Sequence, residues 1–190
     1  MAVHLTRIYT KTGDDGTTAL GDMSRVAKSS PRIAAFADVD EANAAIGTAI
    51  ALGELSEDMR LVLLRVQNDL FDVGADLCTP VVESPEFPPL RVTDDYVTRL
   101  EGECDRWNER LEPLRSFVLP GGSKGSALLH VARTVVRRAE RLVWALVEAE
   151  PDTTSKTPAL YLNRLSDLLF ILGRVANDDG AADVLWKPGG

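Results

Sequence analysis

Four arginines, Arg133, Arg137, Arg138 and Arg141, fall within nine residues of a chain whose net charge is -8. Guanidinium groups stay charged at any ordinary pH and fit the oxygens of phosphates and carboxylates. On a helical wheel at 100° per residue, Leu128, Leu129, Val131, Ala132, Val135, Val136, Ala139, Leu142, Val143, Leu146 and Val147 share one broad arc. Arg133, Arg137, Glu140 and Trp144 lie at the margin of that arc, and Arg138 and Arg141 point further away. A charge at the edge of a buried face can meet a neighbouring helix, another subunit or an anionic ligand. Taken alone, the cluster describes a solvated basic face supported by Glu–Arg pairs one turn apart. Its isolation in an acidic chain counts against that reading.

A second stretch also suits an anion. Thr10-Lys11-Thr12-Gly13-Asp14-Asp15-Gly16-Thr17-Thr18 combines glycines, hydroxyls and a lysine. Such a loop can offer backbone N–H groups and a cation to phosphate oxygens. It lacks the G-x-x-x-x-G-K-[ST] order of a P-loop, and by itself it describes a surface turn. Asp40 and Asn43 are polar positions among Ala, Val and Ile, so they need partners if buried. Asn163, Asp167, Phe170 and Arg174 form a stripe at i, i+4, i+7 and i+11, with Arg164 beside it. Cys78 and Cys104 have no metal or redox spacing and suit reduced helix residues. His4 and His130 are too far apart to suggest a metal site.

The elements that position these residues follow from local signals. Ser30-Pro31 starts a helix over about 31–53, whose many alanines suggest close packing. Ser56 caps a second helix, about 57–79, with Leu61, Leu64, Val66, Leu70, Phe71, Val73, Gly74 and Leu77 on its apolar face. Gln67, Asn68, Asp69, Asp72 and Asp76 cover the remainder, and the helix reads as structural. Four prolines make 80–92 a loop. Thr93 caps a polar outer helix, about 94–112, ended by Pro113. Ser116–Gly122 is extended, and a Gly-Gly turn opens the fourth and longest helix, which ends near Glu150. Thr157-Pro158 starts a fifth, about 158–178. Arg7-Ile8-Tyr9-Thr10 suits a short strand, and Trp186 can anchor the tail.

The expectation is one all-α domain over 1–190. It comprises an irregular N-terminal segment (1–30), a five-helix bundle (31–178) and a tail (179–190). Apolar residues make up 45%, enough for a proper core. The acidic balance argues against nucleic acid as a partner. No apolar run approaches the roughly 18 residues of a membrane span, and the N-terminus lacks a signal-peptide run, so a cytoplasmic location is expected.

With four blocks assembled, the chain resembles the ATP:cob(I)alamin adenosyltransferases of the propanediol-utilisation type. The blocks are YTKTGDDGTT (9–18), VDEANAAIG (39–47), FVLPGG with RTVVRRAER (117–141) and YLNRLSDLLF (161–170). The resemblance implies a homotrimer of five-helix bundles with active sites between subunits. It implies transfer of the 5′-deoxyadenosyl group of ATP to cobalt, with release of triphosphate and with Mg²⁺ on the nucleotide. By motif, Thr10, Lys11, Thr12, Gly13, Thr17, Thr18 and Lys28 would bind ATP from the N-terminal segment. Arg137, Arg138, Glu140 and Arg141 would complete that site from the fourth helix, and Asn163 from the fifth. Asp40 would pair with Arg133 across the subunit interface. Phe117 and Phe170 would sit in the corrin pocket, Phe117 as the wedge that excludes a lower ligand. A reductase and an adenosylcobalamin-dependent mutase are implied partners. The competing classes are a non-catalytic ATP- or corrinoid-binding bundle and a purely structural trimer.

Overall fold

A computed structural model describes residues 8–189. The order of elements is β1 (Thr17–Ala19), β2 (Arg25–Ala27), α1 (Pro31–Leu52), α2 (Glu57–Cys78), α3 (Asp94–Asn108), α4 (Lys124–Ala149) and α5 (Thr157–Val175).

Three helix starts use the same device. Ser30, Ser56 and Ser123 each turn an oxygen back to an amide three residues on, accepting from Ile33, Met59 and Ser126. Each bond satisfies one donor of the first turn. Two starts differ from expectation. Thr93 sits at the N-cap of α3 without a side-chain bond. Helix α5 begins at Thr157 itself, because Ser155 Oγ accepts from the Thr157 amide.

The buried positions set the packing. They run 35-39-42-46-49 in α1, 59-63-66-70-73-77 in α2, 129-132-136-139-143-146 in α4 and 161-165-168-172-175 in α5. In α1, α2 and α4 these alternating steps of three and four make a narrow seam of the coiled-coil kind, whereas α5, with Ala159, Leu162 and Leu169 also buried, is covered over a broader face. Ala35, Ala42 and Ala49 of α1 and Ala132 and Ala139 of α4 are all fully buried, and such small side chains suit the close packing of α1 on α4. Helix α4 packs on α1 and α5, α1 also on α2, and α5 also on α3. The narrow seam corrects the expected faces. Leu61, Leu64 and Phe71 of α2 are 56%, 43% and 72% exposed, and Val131 of α4 is exposed, whereas His130 is buried.

Helix α3 stops at Asn108, short of Pro113, because Trp107 is its last buried side chain and the chain turns there. The loop after α2 has no regular structure, as the prolines require. It returns to the bundle through Asp76, whose carboxylate accepts from the Val92 amide and Arg91 Nη1.

The N-terminal segment is more regular than expected, and its strands lie elsewhere. Residues 8–10 form no strand, and Arg7 and His4 lie outside the described residues. The chain instead forms an antiparallel hairpin pairing Thr17 with Ala27 and Ala19 with Arg25. Three-residue strands carry too little alternation to announce themselves. Asp15 and Asp22 accept from the amides two residues on and shape the two turns. The Gly21 amide docks the hairpin on the Cys78 carbonyl at the end of α2.

Candidate functional site

The basic cluster of α4 lines an open pocket of about 560 Å³. Thr134, Val135, Arg137, Arg138, Glu140 and Arg141 form one wall, and Asn163 of α5 closes it. Helical spacing gathers these side chains, and the α4–α5 seam fixes the depth. Arg137 and Arg141 have no hydrogen bond or ion pair among the described residues. Arg138 differs, because Asp38 and Glu41 of α1 both pair with its guanidinium and raise its pKa. It ties α1 to α4 and offers little free charge to a ligand.

The floor of the pocket is organised by one amide. Arg164 Nη1 donates to Asn163 Oδ1 at 2.7 Å, and Asn163 Nδ2 donates to Glu140 Oε1 at 3.1 Å. Arg164 Nε also donates to Glu101 of α3 at 2.8 Å. The guanidinium has only donors, so it fixes which end of the amide faces Glu140.

Arg133 lies one turn before Arg137 on the same margin. Its Nε is buried with no partner among the described residues. Burial, and then the Arg137 charge, lowers its pKa. An inaccessible donor without a partner is costly, although the rest of the Arg133 side chain is only half-buried. Asp40 of α1 is exposed and has no hydrogen bond or ion pair among the described residues. It rims a largely apolar groove of about 430 Å³ that includes Phe36, Asn43, Leu70 and Phe71. Asn43 is buried; its Nδ2 donates to the Gln67 carbonyl, and its Oδ1 has no partner.

The hairpin assembles the N-terminal candidates. Thr10 and Thr12 share a hydroxyl hydrogen bond. Lys11 has φ 61°, a left-handed conformation that turns successive amides to one side. Thr17 is held by Asp15 and Arg25. A Cβ on Gly13 would stand 3.0 Å from Lys28 Nζ, so that lysine lies against the loop. Among the described residues, no hydrogen bond or ion pair joins this group to the Arg137 pocket. The hairpin docks beside Cys78, at the end of the bundle where Arg32 of α1 bonds the Leu77 carbonyl and Glu150.

Phe117 is anchored at the opposite end. Its ring is 77% exposed, so ordinary core packing is excluded. The Trp186 amide donates to the Phe117 carbonyl at 2.8 Å, the Leu119 amide to the Val184 carbonyl at 2.8 Å, and the two rings meet edge to face. Phe170 is half-buried, edge to face with His130. His130 escaped sequence reasoning. It is 2% exposed, neither ring nitrogen has a partner, and burial and then the Arg133 charge lower its pKa. The α5 stripe is divided: Asn163 serves the pocket, Phe170 meets His130, Asp167 is exposed, and Arg174 is buried against Asp183. Among the described residues, no cluster of three His, Cys, Asp or Glu side chains can hold a metal ion. No helix among them is long and apolar enough to cross a membrane.

A sequence model of the cobalamin adenosyltransferase family matches residues 8–176. A corrinoid adenosyltransferase of Mycobacterium tuberculosis is 68% identical over all of this chain and 97% of its own length. One from Bacillus subtilis is 43% identical over 95% of this chain and 92% of its own. A solved structure superposes with a TM-score of 0.87 at 33% identity, covering 95% of this chain and 99% of its own. It is a single-residue variant of a PduO-type ATP:corrinoid adenosyltransferase from Lactobacillus reuteri, complexed with cobalamin and ATP. The sequence blocks, the five-helix architecture and these likenesses agree, and the chain belongs to the cobalamin adenosyltransferase family.

Proposed function

We propose that the protein transfers the 5′-deoxyadenosyl group of ATP to the cobalt of cob(I)alamin, at sites shared between the subunits of a homotrimer. The observation that carries this reading is the open basic pocket of α4 and α5, with Arg137 and Arg141 unpaired in an acidic chain.

In the reaction, the electron pair of Co(I) attacks C5′. The C5′–O bond breaks, its electrons leave with triphosphate, and cobalt ends two electrons more oxidised in the Co–C bond. The corrin supplies the nucleophile, so the protein needs none. Its residues hold C5′ in line with cobalt and neutralise the developing triphosphate charge. Arg137, Arg141 and Lys11 supply cations for that, and the left-handed turn at Lys11 supplies amides. Glu140 presents one carboxylate among the phosphates, which suits a Mg²⁺ held mostly by the nucleotide.

Three features support a shared site. The hairpin and Phe117 are anchored at opposite ends of the bundle, on either side of a helix of 26 residues, ~39 Å long at 1.5 Å per residue. One subunit therefore cannot easily bring both to the same ligand pair. Arg133 is a half-buried cation whose Nε lacks a partner, and Asp40 is an exposed anion with no ion pair among the described residues. The groove beside Asp40 exposes Phe71, an apolar surface suited to burial by a second copy. Phe117, exposed and held by backbone bonds on both sides, suits the face of a corrin, where it would exclude water and a lower ligand and make Co(II) easier to reduce. The electron would come from a cytoplasmic reductase, and the product would pass to an adenosylcobalamin-dependent mutase.

The test is anaerobic incubation with chemically reduced cob(I)alamin and ATP. Adenosylcobalamin, followed by its visible spectrum, is expected, together with triphosphate. Arg137→Ala is expected to lose about 100-fold or more in turnover, the scale of one transition-state charge contact. Folded protein that binds both substrates without forming a cobalt–carbon bond would establish a carrier and overturn the reading.

A further inference from the structure

The C-terminal tail is held by a buried polar network that the proposed chemistry does not use. Asp183 has a side chain only 3% exposed, and Arg174 only 8%. Arg174 Nε donates to Asp183 Oδ2 at 2.8 Å. Asn177 is 1% exposed, and its Nδ2 donates to Asp183 Oδ1 and to the Gly121 carbonyl, each at 3.2 Å. Its Oδ1 accepts from the Ser123 amide at 2.9 Å. Arg174 Nη2 reaches the Glu112 carbonyl at 3.1 Å. One carboxylate thus ties together the end of α5, the tail, the segment after α3 and the Gly-Gly turn before α4.

Two glycines make room for it. Gly122 has φ +98°, and a Cβ there would collide with the Asn177 carboxamide. Gly180 has φ +87°, and a Cβ would stand 2.9 Å from Arg174 Nη2. Both are left-handed positions that disfavour other residues. The backbone is shaped to let the network close.

Immediately after Asp183 the tail becomes a strand partner. Val184 accepts from the Leu119 amide, Val118 and Leu185 form an isolated bridge, and Trp186 donates to the Phe117 carbonyl. Ser116 Oγ donates to the Trp186 carbonyl at 2.9 Å. The exposed Phe117 ring owes its fixed direction to this two-stranded clasp. Exposed hydrogen bonds of an isolated pair of short strands are marginal in water; the buried carboxylate next to them supplies the anchor.

We propose that Asp183 is a positioning residue. Through Arg174 and Asn177 it latches residues 184–186 against 116–119, and so sets the direction of Phe117. The consequence for catalysis rests on the reading of Phe117 as the corrin wedge.

The experiment combines amide hydrogen exchange with activity assays on the full chain. In Asp183→Ala, exchange at the Leu119 and Trp186 amides is expected to speed up at least tenfold, while that of the α1 and α4 seams stays unchanged. Activity started from cob(II)alamin with a reductant is expected to fall at least tenfold, and activity from pre-reduced cob(I)alamin less than threefold. Gly180→Ala crowds Arg174 without removing a polar group, and is expected to show the same pattern more weakly; it serves where Asp183→Ala folds poorly. Unchanged exchange at Leu119 and Trp186 overturns the latch. Faster exchange with equal losses from both cobalt states, or with none, overturns the positioning role. Phe117→Ala separates the two ideas. If it loses activity from cob(II)alamin selectively and a freed clasp does not, the positioning role falls, while the latch and the wedge reading stand. If it shows no selective loss, the wedge reading falls, while the exchange data still decide whether Asp183 holds the clasp.

Discussion

Arg133, Arg137 and Glu140 sit on one margin of α4, as the helical wheel places them, yet each faces something different. Arg137 is open to the pocket, Arg133 is half-buried without an anion, and Glu140 is already bonded to Asn163. The wheel could not reveal the state of Arg138, because its carboxylates lie on another helix about a hundred residues away. The same limit hid His130, which looks unremarkable in sequence and becomes a buried imidazole between Phe170 and Arg133. Its lowered pKa has a consequence for stability. The neutral form is favoured in the fold, so the unfolded chain binds a proton more readily. The contribution of His130 is complete above histidine's ordinary value near pH 6.5 and is lost as pH falls through it towards the folded value. Asp183 opposes this effect weakly, and Arg133 reinforces it. His130→Leu is therefore expected to flatten the fall in denaturation midpoint between about pH 7 and pH 5. An unaltered slope in urea titrations across that range would contradict the assignment.

At the scale of elements, the helices were legible because their signals are local. Serine caps, Ser-Pro starts and proline-rich breaks act within three or four residues, and α1, α2 and α4 begin where those signals place them. What joins the helices was not legible. Asp69 looked like one of several acids covering the polar face of α2. It is 1% exposed and accepts from Arg65 Nε, Arg99 Nη2 of α3 and the hydroxyl of Tyr161 of α5. Burial and the Asp69 charge push the Tyr161 hydroxyl's pKa well up, so it stays protonated and able to donate. Removing the carboxylate by Asp69→Ala leaves a buried phenol and a partly buried guanidinium without their acceptor. The expected cost is about 3 kcal/mol, the lower end for breaking such a group. At ~2–4 °C per kcal/mol for a chain of this size, thermal unfolding should shift down by roughly 6 °C or more. A shift below about 2 °C would show that Asp69 is merely solvated. The hairpin is the element that sequence reasoning missed outright, since Thr17–Ala19 and Arg25–Ala27 are too short for a period to be counted.

Over the whole molecule, the bundle is closed at both ends by buried arginines. At one end Arg32, 2% exposed, bonds Glu150, the Leu77 carbonyl and the Thr153 and Thr154 hydroxyls. At the other, Arg174 holds Asp183 and the Glu112 carbonyl. Arg32 did not stand out in sequence, and Arg174 did so only as one position of the α5 stripe, because only the tertiary fold brings the partners together. Between these ends α4 carries its basic pocket inside a protein of net charge -8, and that contrast has a kinetic meaning. A nucleotide polyanion first meets a repulsive field that extends over ~30 Å at 10 mM salt but only ~8 Å at 150 mM. On the proposed reading it would feel the attraction of Arg137 and Arg141 only at close range. Added salt weakens the first field across its whole reach and the second only in part. Stopped-flow measurements of ATP association should therefore show an on-rate that rises between about 10 and 150 mM salt, while the dissociation rate rises more steeply and affinity falls. An on-rate that declines over that range would mean that the pocket's own field dominates the approach. If the proposed pocket holds the nucleotide, its entry and retention would be governed by opposite charges, the first by the surface at large and the second by two side chains on one helix.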